Sequence, residues 1–313
     1  MGIQIGVDGG GSKTEIVALD PTGHVLRSLR KPASNYHVVG MEQAVQYIIE
    51  GIHEVLQEET AEGIGITLAG IDTPEDWTIM DKGLKQGLKM LVQQTGTSFL
   101  GIPVVLENDA FGALMSVQGK FTGNVLAAGT GAVALGVNTE GDVFRVGGWG
   151  HIIGDQGSGY DIGRKALAAT MASFDGYGPK SLLEAKITEN LGLAHVPGIS
   201  DWLYFKKRLN NEIAALVPVV VEAAQMGDVI SNKILEESGR ALGLLTRALL
   251  RKTHSLEIGM VGGIRNIWEW LEPSFYNTTQ AEFPGLQLLK PKYPPCVGAA
   301  LLSKITQLRH LEL

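Results

Sequence analysis

The stretch Ile3–Thr14, which reads IQIGVDGGGSKT, combines residue types that can bind a phosphate group beside a metal ion. Its three consecutive glycines allow backbone N–H groups to converge on an anion, because no Cβ atom blocks the approach. Asp8 precedes the glycines with a carboxylate suited to Mg²⁺ or its water shell. The residues predicted to contact nucleotide phosphates here are Gly10, Gly11, Ser12, Lys13 and Thr14.

Two familiar glycine motifs do not fit this stretch. In a P-loop the Gly-Lys pair precedes Ser or Thr, whereas here Ser12 precedes Lys13. The dinucleotide-binding fingerprint opens a helix, whereas the β-branched and apolar residues after the glycines indicate a second strand. The sequence therefore predicts a strand–turn–strand hairpin that could cup a phosphate. An ordinary glycine-rich hairpin is the alternative at this point.

The hairpin pattern recurs at an offset of 118 residues. Val125–Val143, which reads VLAAGTGAVALGVNTEGDV, aligns with Val7–Val25 and again places a glycine-hydroxyl turn between two strands. Two such hairpins at one offset suggest a duplicated domain with two phosphate-binding loops facing each other, and a cleft of that kind suits a nucleoside triphosphate. The second set of predicted phosphate contacts is Gly129, Thr130 and Gly131.

Periodic apolar residues predict the elements that must position these loops. In the first half they predict helices over 40–59, 76–95 and 110–118, and strands over 64–70 and 102–106. In the second half they predict helices over 161–174, 181–191, 201–209, 211–226, 229–253, 267–275 and 296–309, with Pro218 interrupting the fourth. We predict domains over 1–117 and 118–313.

The glycine-rich segment Gly147–Gly163, GGWGHIIGDQGSGYDIG, is the most specific part of the chain. Together with the two hairpins it resembles the N-acetylglucosamine kinase family, which is grouped with the BadF/BadG/BcrA/BcrD ATPases in the sugar kinase/Hsp70/actin superfamily. The resemblance covers nearly the whole chain. It implies an α/β fold of two duplicated ribonuclease H-like, actin-like ATPase domains with a nucleotide cleft between them. It also implies that the last helix packs back toward the hinge between the two domains.

The resemblance also implies roles for individual residues. Asp109, at the end of a predicted strand, would be the general base that accepts the proton of a sugar hydroxyl. Gly262 and Gly263, after the predicted strand 256–261, would approach the adenosine, with Arg265 and Asn266 as further candidates. The residues expected to contact the sugar are Asn35, Asp109, Thr130, Trp149, Gly150 and Asp155.

Each of three residues also has a simpler structural interpretation. Asn35 follows a proline in a polar segment and could be a turn asparagine. Asp109 stands where a strand gives way to a helix and could be its N-cap. Trp149 could anchor a core instead of meeting a sugar face. Four residues depart from the family pattern, Gln156, Asp161, Ala132 and Tyr36, and together they bear on which sugar is bound more than on the reaction.

Composition limits the range of functions. With 313 residues, 44% apolar and 19% charged, the chain is long enough for two domains of ordinary soluble composition. A net charge of −7 argues against a general nucleic-acid or membrane surface. No run of eighteen apolar residues and no leader-like start is present, so we expect a cytoplasmic protein. The single Cys296 excludes an intrachain disulfide and a cysteine-rich metal site.

The predicted activity is transfer of a phosphoryl group from ATP, with Mg²⁺, to an amino sugar. The resemblance makes N-acetylglucosamine, phosphorylated at its 6-hydroxyl, the expected substrate, with glucosamine or another hexose as alternatives. A rival interpretation is an ATPase that activates a partner enzyme, as BadF-type proteins do with a cysteine-held iron–sulfur cluster. The ROK sugar kinases are another, but their cysteine-rich zinc motif is absent here. A non-catalytic sugar sensor is a third alternative. Separately, helices with Ala- and Leu-rich faces permit self-association as a homodimer.

Overall fold

A computed structural model describes residues 2–96, 99, 101–206, 208–305, 308 and 310–311. The chain forms two compact units. The first comprises Met1–Gly123 together with Lys290–Leu313, and the second comprises Asn124–Leu289. The boundary falls six residues after the predicted one at 117/118, and the structure assigns 290–313 to the first unit, whereas the sequence analysis kept them in the second.

The strands are short and lie mostly where the apolar patterns predict them. They are β1 (Ile3–Gly9), β2 (Thr14–Leu19), β3 (Val25–Lys31), β4 (Ala61–Leu68), β5 (Val104–Asn108), β6 (Gly123–Ala128), β7 (Ala132–Val137), β8 (Val143–Gly147), β9 (Glu257–Val261) and β10 (Gln287–Leu289).

The helices vary from a single turn to seven turns. They are α1 (Tyr36–Val39), α2 (Met41–Leu56), α3 (Pro74–Thr95), α4 (Asp109–Gln118), α5 (Gly159–Asp175), α6 (Leu183–Asn190), α7 (Gly198–Ser200), α8 (Asn210–Ala214), α9 (Val217–Gln225), α10 (Val229–Thr253), α11 (Trp268–Thr279) and α12 (Pro295–Leu302). A π-helix covers Asp201–Phe205 and a 3₁₀-helix covers Gly263–Ile267.

The two units repeat one sheet topology. The strand order is β3-β2-β1-β4-β5 in the first unit and β8-β7-β6-β9-β10 in the second. In the first unit β1 pairs antiparallel with β2 and parallel with β4, and β4 is parallel to β5. Replacing each strand of the first sheet by its counterpart gives the order of the second, which confirms the predicted duplication and the α/β class.

In the first unit both faces of the sheet are covered. One face packs its side chains against α2 and α3, where Ile5, Ile64, Ile48 and Leu84 are fully buried. On the opposite face α12 lies against β1 and β4 at Gly6 and Gly65. A Cβ atom on Gly65 would lie 1.7 Å from the carbonyl oxygen of Ala299, so the close approach of this helix requires glycine. This packing is the physical reason that 290–313 belong to the first unit.

The core of the second unit forms where helices cover its sheet. Leu126 and Ala134 of the sheet are buried with Ile162, Leu242 and Leu249, which lie on α5 and α10. The predicted helix over 229–253 matches α10 in both bounds. The prediction of an interruption near Pro218 is also confirmed, because α8 ends at Ala214 and α9 begins at Val217.

Several predicted helices differ in their bounds from the observed elements, and three of them illustrate the differences. The segment predicted as a helix over 201–209 is a π-helix that ends at Phe205. The segment predicted over 267–275 begins one residue later and continues to Thr279. The last helix, predicted to reach about residue 309, ends at Leu302, and positions 306, 307 and 309 of the prediction lie outside the described residues. Among the described residues, no helix combines the length and apolarity needed to cross a lipid bilayer.

Candidate active site

The turn between β1 and β2 presents backbone donors at the surface of the first unit. The Gly10 N–H group donates to the carbonyl oxygen of Lys13 at 2.8 Å, which closes the turn. The N–H groups of Gly11 and Ser12 have no hydrogen-bond partner among the described residues, and both residues are exposed. Lys13 Nζ lies 2.6 Å from Glu15 Oε1. The turn therefore offers amides and one ammonium group to an anion.

Thr14, which was predicted as a phosphate contact, points away from solvent. Its side chain is fully buried, and its hydroxyl is hydrogen-bonded to the Pro32 carbonyl oxygen at 2.7 Å and to Ser34 Oγ at 2.8 Å. The strand alternation explains this, because Thr14 shares its face of β2 with the buried Ile16. The Thr14 hydroxyl thus links the turn to the segment that carries Asn35. The residues that precede Thr14 in the chain form the exposed surface of the turn.

Asp8 lies half-buried at the carboxyl end of β1. Burial raises its pKa to about 7, and the neighbouring carboxylates of Asp109 and Glu15 act in the same direction. Lys13 and the hydroxyl of Thr67, 3.5 Å from Asp8 Oδ1, act in the opposite direction. The structure thus brings the predicted metal residue and the predicted base into electrostatic contact.

The surroundings of Asp8 fit a magnesium ion held through water. No group of three or more His, Cys, Asp or Glu side chains forms a metal-binding cluster in the described part of the chain. Mg²⁺ usually keeps several waters and is bound by one or two carboxylates together with substrate phosphates, so a closed protein cage is not needed. A cation here would also offset the repulsion between Asp8 and Asp109.

Asn35 is the N-cap of α1, as the turn interpretation suggested. Its Oδ1 accepts a hydrogen bond from the N–H group of His37 at 3.0 Å. Its backbone N–H group donates to the carbonyl oxygen of Gly10 at 3.3 Å, so the structure brings Asn35 next to the β1–β2 turn. Its Nδ2 group has no hydrogen-bond partner among the described residues, which leaves a donor for a ligand.

Asp109 is not the N-cap of α4. That position is taken by Asn108, whose Oδ1 accepts from the Ala110 N–H group at 3.0 Å. Asp109 is instead the first residue of the helix and is half-buried. The helix N-terminus favours a negative charge at this position. The structural interpretation of Asp109 as a cap is therefore wrong.

Glu107 is a further carboxyl group that the sequence analysis missed. The strand register aligns Asp8 with Thr67 and Thr67 with Glu107, so the three side chains form a row across β1, β4 and β5. Glu107 is half-buried, and burial raises its pKa to about 7. The available signal was its position near the end of the predicted strand, two residues before Asp109.

In the second unit the Gly129–Gly131 turn contacts the N-terminus of α5. The N–H groups of Gly159 and Tyr160 donate to the carbonyl oxygens of Gly129 and Thr130 at 2.8 and 3.2 Å. The N–H groups of Thr130 and Gly131 have no hydrogen-bond partner among the described residues. As in the turn of the first unit, two consecutive backbone N–H groups remain for an anion.

Asp155 lies against the Gly129–Gly131 turn. Its Oδ1 accepts from the Ala132 N–H group at 3.0 Å, and its backbone has a φ of +59°. A Cβ atom on Gly131 would lie 3.1 Å from both carboxylate oxygens, so glycine gives Asp155 room beside the turn. A positive φ at a non-glycine residue is a strained conformation of the kind found at ligand sites.

Gly262 and Gly263 also belong to this cluster. A Cβ atom on Gly262 would lie 2.2 Å from the carbonyl oxygen of Ala128, directly before the turn. Its φ of +97° likewise requires glycine. Both glycines are exposed, as are Arg265 and Asn266 in the following 3₁₀-helix. The structure thus brings Gly129, Gly262 and Asp155 together on one side of the second unit.

Trp149 is 68% exposed, which excludes the interpretation as a core anchor. The Arg145 guanidinium lies 5.3 Å from the centre of its ring and donates to the carbonyl oxygens of Gly147 and Gly148. Gly150 follows on an exposed surface with no atom near its Cβ position. The segment therefore presents an aromatic face to solvent.

Asp161, one of the departures from the family pattern, has a structural role. It is buried in the first turn of α5 and accepts from the Gly157 N–H group at 3.0 Å. Burial opposes its ionisation, but that hydrogen bond and Lys165 hold the pKa of Asp161 below its usual value. Gln156 is exposed beside Asp155.

Comparison with known proteins adds independent information. The model of the BadF/BadG/BcrA/BcrD ATPase family matches residues 5–303. The chain is 34% identical to the N-acetyl-D-glucosamine kinase of Dictyostelium discoideum over 96% of this chain and 97% of that protein. It is 33% identical to the N-acetylmuramic acid/N-acetylglucosamine kinase of Clostridium acetobutylicum with the same coverage. A Chromobacterium violaceum protein provisionally named an N-acetylglucosamine kinase has a similar fold, with a TM-score of 0.78, 24% identity, and coverage of 97% and 99% of the two chains.

Proposed function

Because the chain belongs to the BadF/BadG/BcrA/BcrD ATPase family, we propose that it is an ATP-dependent kinase that phosphorylates N-acetylglucosamine at its 6-hydroxyl. The observation that carries this proposal is full-length similarity to two kinases of N-acetylated amino sugars at 34% and 33% identity. The arrangement around Asp109 supports it, because that carboxylate is half-buried at the start of α4 and interacts electrostatically with Asp8.

In the proposed reaction Asp109 accepts the proton of the sugar 6-hydroxyl. The hydroxyl oxygen forms a bond to the γ-phosphorus of ATP, the bond between that phosphorus and the β,γ-bridging oxygen breaks, and ADP leaves with the electron pair. Proton removal by a positioned carboxylate contributes on the order of 10²–10⁴-fold to the rate. Most of the remaining acceleration comes from positioning and charge neutralisation, as is usual for phosphoryl transfer.

The glycine turns are proposed to bind ATP through backbone amides. In the first unit the donors are the N–H groups of Gly11 and Ser12 with the ammonium of Lys13, and in the second they are those of Thr130 and Gly131. Gly262 and Gly263 are proposed to face the adenosine, where the absence of side chains allows a base and ribose to lie against backbone. Mg²⁺, held by Asp8 through water, would neutralise charge on the transferring phosphoryl group.

The sugar contacts are proposed to come from Asn35, Asp109, Trp149, Gly150 and Asp155, together with Thr130. Asn35 offers a donor, Asp155 offers acceptors, and Trp149 offers an apolar face of the kind that suits a sugar ring or an acetamido methyl group.

ATP as the donor makes the cytoplasm the proposed location. A homodimer remains a proposal that light scattering on the purified protein would test.

The direct test is a kinase assay with purified protein, ATP and Mg²⁺. We expect ADP release to be much faster with N-acetylglucosamine than without sugar, and NMR of the product to place the phosphate on the 6-oxygen. N-Acetylmuramic acid, glucosamine and glucose should be assayed in parallel, because shape and polar complementarity decide between such sugars. Absence of turnover with every hexose and hexosamine would reject the kinase proposal.

A second experiment separates catalysis from binding. Asp109→Asn preserves the size of the side chain but removes its ability to accept a proton at neutral pH. We expect the turnover number to fall by at least about 10²-fold, while calorimetry shows ATP binding close to that of the unchanged protein. A variant that keeps its turnover number would show that another group accepts the proton.

The BadF-type activator is disfavoured by the state of Cys296. This residue is 4% exposed, and burial, with the charges of Asp8 and Glu15, raises the pKa of its thiol to about 12. Cluster ligation uses thiolates, and this chain has a single cysteine. We expect purified protein to contain no stoichiometric iron or acid-labile sulfide, and the presence of both would favour the activator.

A further inference from the structure

Asn108, which directly precedes Asp109, uses both ends of its side-chain amide in hydrogen bonds. Its Oδ1 accepts from the Ala110 N–H group at 3.0 Å and caps α4. Its Nδ2 donates to the carbonyl oxygen of Ile71 at 3.1 Å and to Asp72 Oδ1 at 3.2 Å. One side chain therefore joins the first turn of α4 to the loop between β4 and α3.

That loop, residues 70–73, is itself anchored at two points. Asp76 Oδ2 accepts from the N–H groups of Asp72 at 3.1 Å and Thr73 at 2.8 Å. Hydrogen bonds from Thr73 and Tyr36 lower the pKa of Asp76 to about 2 in spite of its burial, so the anchor carries a negative charge at neutral pH.

The other end of the loop contacts the segment that carries Asn35. Gly70 has a φ of +93°, and a Cβ atom there would lie 2.8 Å from Asn35 Oδ1. His37 Nε2 lies 3.1 Å from the carbonyl oxygen of Gly70. The loop therefore has Asn35 against one end and Asn108 against the other.

We propose that Asn108 is a positioning residue that fixes Asp109 relative to Asn35 by clamping the start of α4 to loop 70–73. This inference rests on the proposed function, in which Asp109 accepts the sugar proton and Asn35 contacts the sugar. Catalytic groups must be held close to the productive geometry, and a misplacement of about 1 Å can cost about 10²-fold in rate. Asn108 supplies that constraint through hydrogen bonds to the start of α4 and to loop 70–73.

Asn108→Asp isolates the clamp from the cap. Aspartate caps a helix as well as asparagine does, so the bond to the Ala110 N–H group persists. The two donated hydrogen bonds are lost, and a carboxylate then faces Asp72. We expect the turnover number with sugar to fall about 10–100-fold while the KM for ATP changes little.

Reversing the pair should rescue part of this loss, because it restores the bond between positions 108 and 72 but not the one donated to the Ile71 carbonyl oxygen. In the double variant Asn108→Asp with Asp72→Asn, position 72 supplies the donor and position 108 the acceptor. We expect the double variant to turn over faster than Asn108→Asp alone, which general destabilisation by two substitutions would not produce. A double variant no faster than the single one would overturn the proposal.

A matched control comes from the second unit. Asn138 donates through Nδ2 to Asp142 Oδ2 at 3.0 Å in an exposed turn. This is also an Asn–Asp pair, but it is distant from Asp109 in the sequence and belongs to the other unit. Asn138→Asp should leave the turnover number unchanged. If it lowers turnover as much as Asn108→Asp, the clamp is not specific.

Hydrogen exchange provides a readout that does not depend on activity. Backbone amides of 70–73 and 108–112 should exchange faster in Asn108→Asp and slow again in the double variant. Unchanged exchange would overturn the clamp even if the enzyme is inactive on every sugar. If the protein without substitutions has no kinase activity but its variants show the predicted differences in exchange, the proposed function is rejected and the clamp is still supported.

Discussion

At the residue scale, the amide of Asn35 has a defined direction. Its oxygen accepts from the His37 N–H group, so its nitrogen is the end left for a ligand. A flipped amide would bring two N–H groups together, which fixes the assignment on physical grounds. We infer that Asn35 acts as a donor and meets an acceptor oxygen of the sugar.

Asn35→Asp tests that direction. Aspartate keeps the cap of α1 but has no hydrogen to donate when ionised. We expect the KM for the sugar to rise about 10–100-fold, in line with loss of about 1.5–3 kcal/mol, while the melting temperature and the KM for ATP stay close to their original values. Steady-state kinetics check this, and an unchanged KM for the sugar would show that Asn35 does not donate to it.

Glu107 should make stability depend on pH. Its pKa of about 7 in the folded state lies above the ordinary value of 4.5, so its contribution is full below pH 4.5 and is lost as the pH rises through 7. Glu107→Gln removes that loss. Because the group is half-buried, we expect the variant to be more stable than the unchanged protein by about 1–2 kcal/mol at pH 8.5 and nearly equal at pH 5.

Urea denaturation at the two pH values measures this difference. A Glu107→Gln variant whose stability follows the unchanged protein from pH 5 to 8.5 would mean that the carboxyl titrates near its ordinary value. Any pH dependence that both proteins share comes from other groups and cancels in the difference between them.

The outcome at individual residues shows what local patterns can and cannot predict. The burial of Thr14 was predictable from the sequence, because Thr14 shares a strand face with Ile16 and the β2 pattern is apolar on that face. The choice of Asn108 over Asp109 as the cap was not, because both residue types cap helices well and only the end of β5 decides between them. Burial at Glu107 depends on distant elements, so sequence could not give its pKa.

At the scale of elements, one face of the first sheet depends on glycine. Gly6 and Gly65 lie where α12 crosses β1 and β4, and a Cβ atom on either would overlap the backbone of that helix. Backbone atoms cannot move aside like the end of a flexible side chain. The helix must therefore shift outward if either glycine is replaced.

Gly65→Ala should destabilise the protein by about 3 kcal/mol or more, because overpacking against rigid backbone costs about 1–3 kcal/mol where neighbours can adjust and more where they cannot. Gly263→Ala is the control, since no atom lies within 4 Å of its Cβ position. Thermal melts compare the two. Equal melting temperatures would indicate that α12 does not pack this closely in solution.

The elements that sequence predicted best are those whose pattern is local and repeated. The two glycine hairpins share one residue offset, and the structure gives the two sheets the same strand order. Helix ends were less predictable. The run over 201–209 has helical spacing, yet it forms a π-helix that ends at Phe205. Apolar spacing alone does not separate these two helix types.

At the scale of the whole molecule, the chain closes its first unit with its last residues. Contacts between β1 and the end of α12 join residues almost 300 positions apart, and Ser303, the C-cap of that helix, donates from Oγ to Gln4 Oε1 at 2.6 Å. Such pairs leave no periodic signal in the sequence. The small residues Gly298, Ala299 and Ala300 indicated close packing of the last helix, but they did not identify its partner.

A chain that ends at Leu289 should therefore lose the structure of its first unit. Five residues of α12 are at most 4% exposed, and removing the helix would open the face of the sheet that carries Gly6, Gly65 and Thr67. Asp8 lies in the same row as Thr67 and Glu107, and Asp109 follows two residues after Glu107, so the proposed metal ligand and the proposed base would lose their setting. We expect rapid proteolysis within residues 2–123 and loss of sugar-dependent ADP release.

A chain that ends at Ile305 keeps α12 and should resist proteolysis better than the shorter one. If both truncated chains are equally protected within 2–123, α12 is not required for the fold of the first unit.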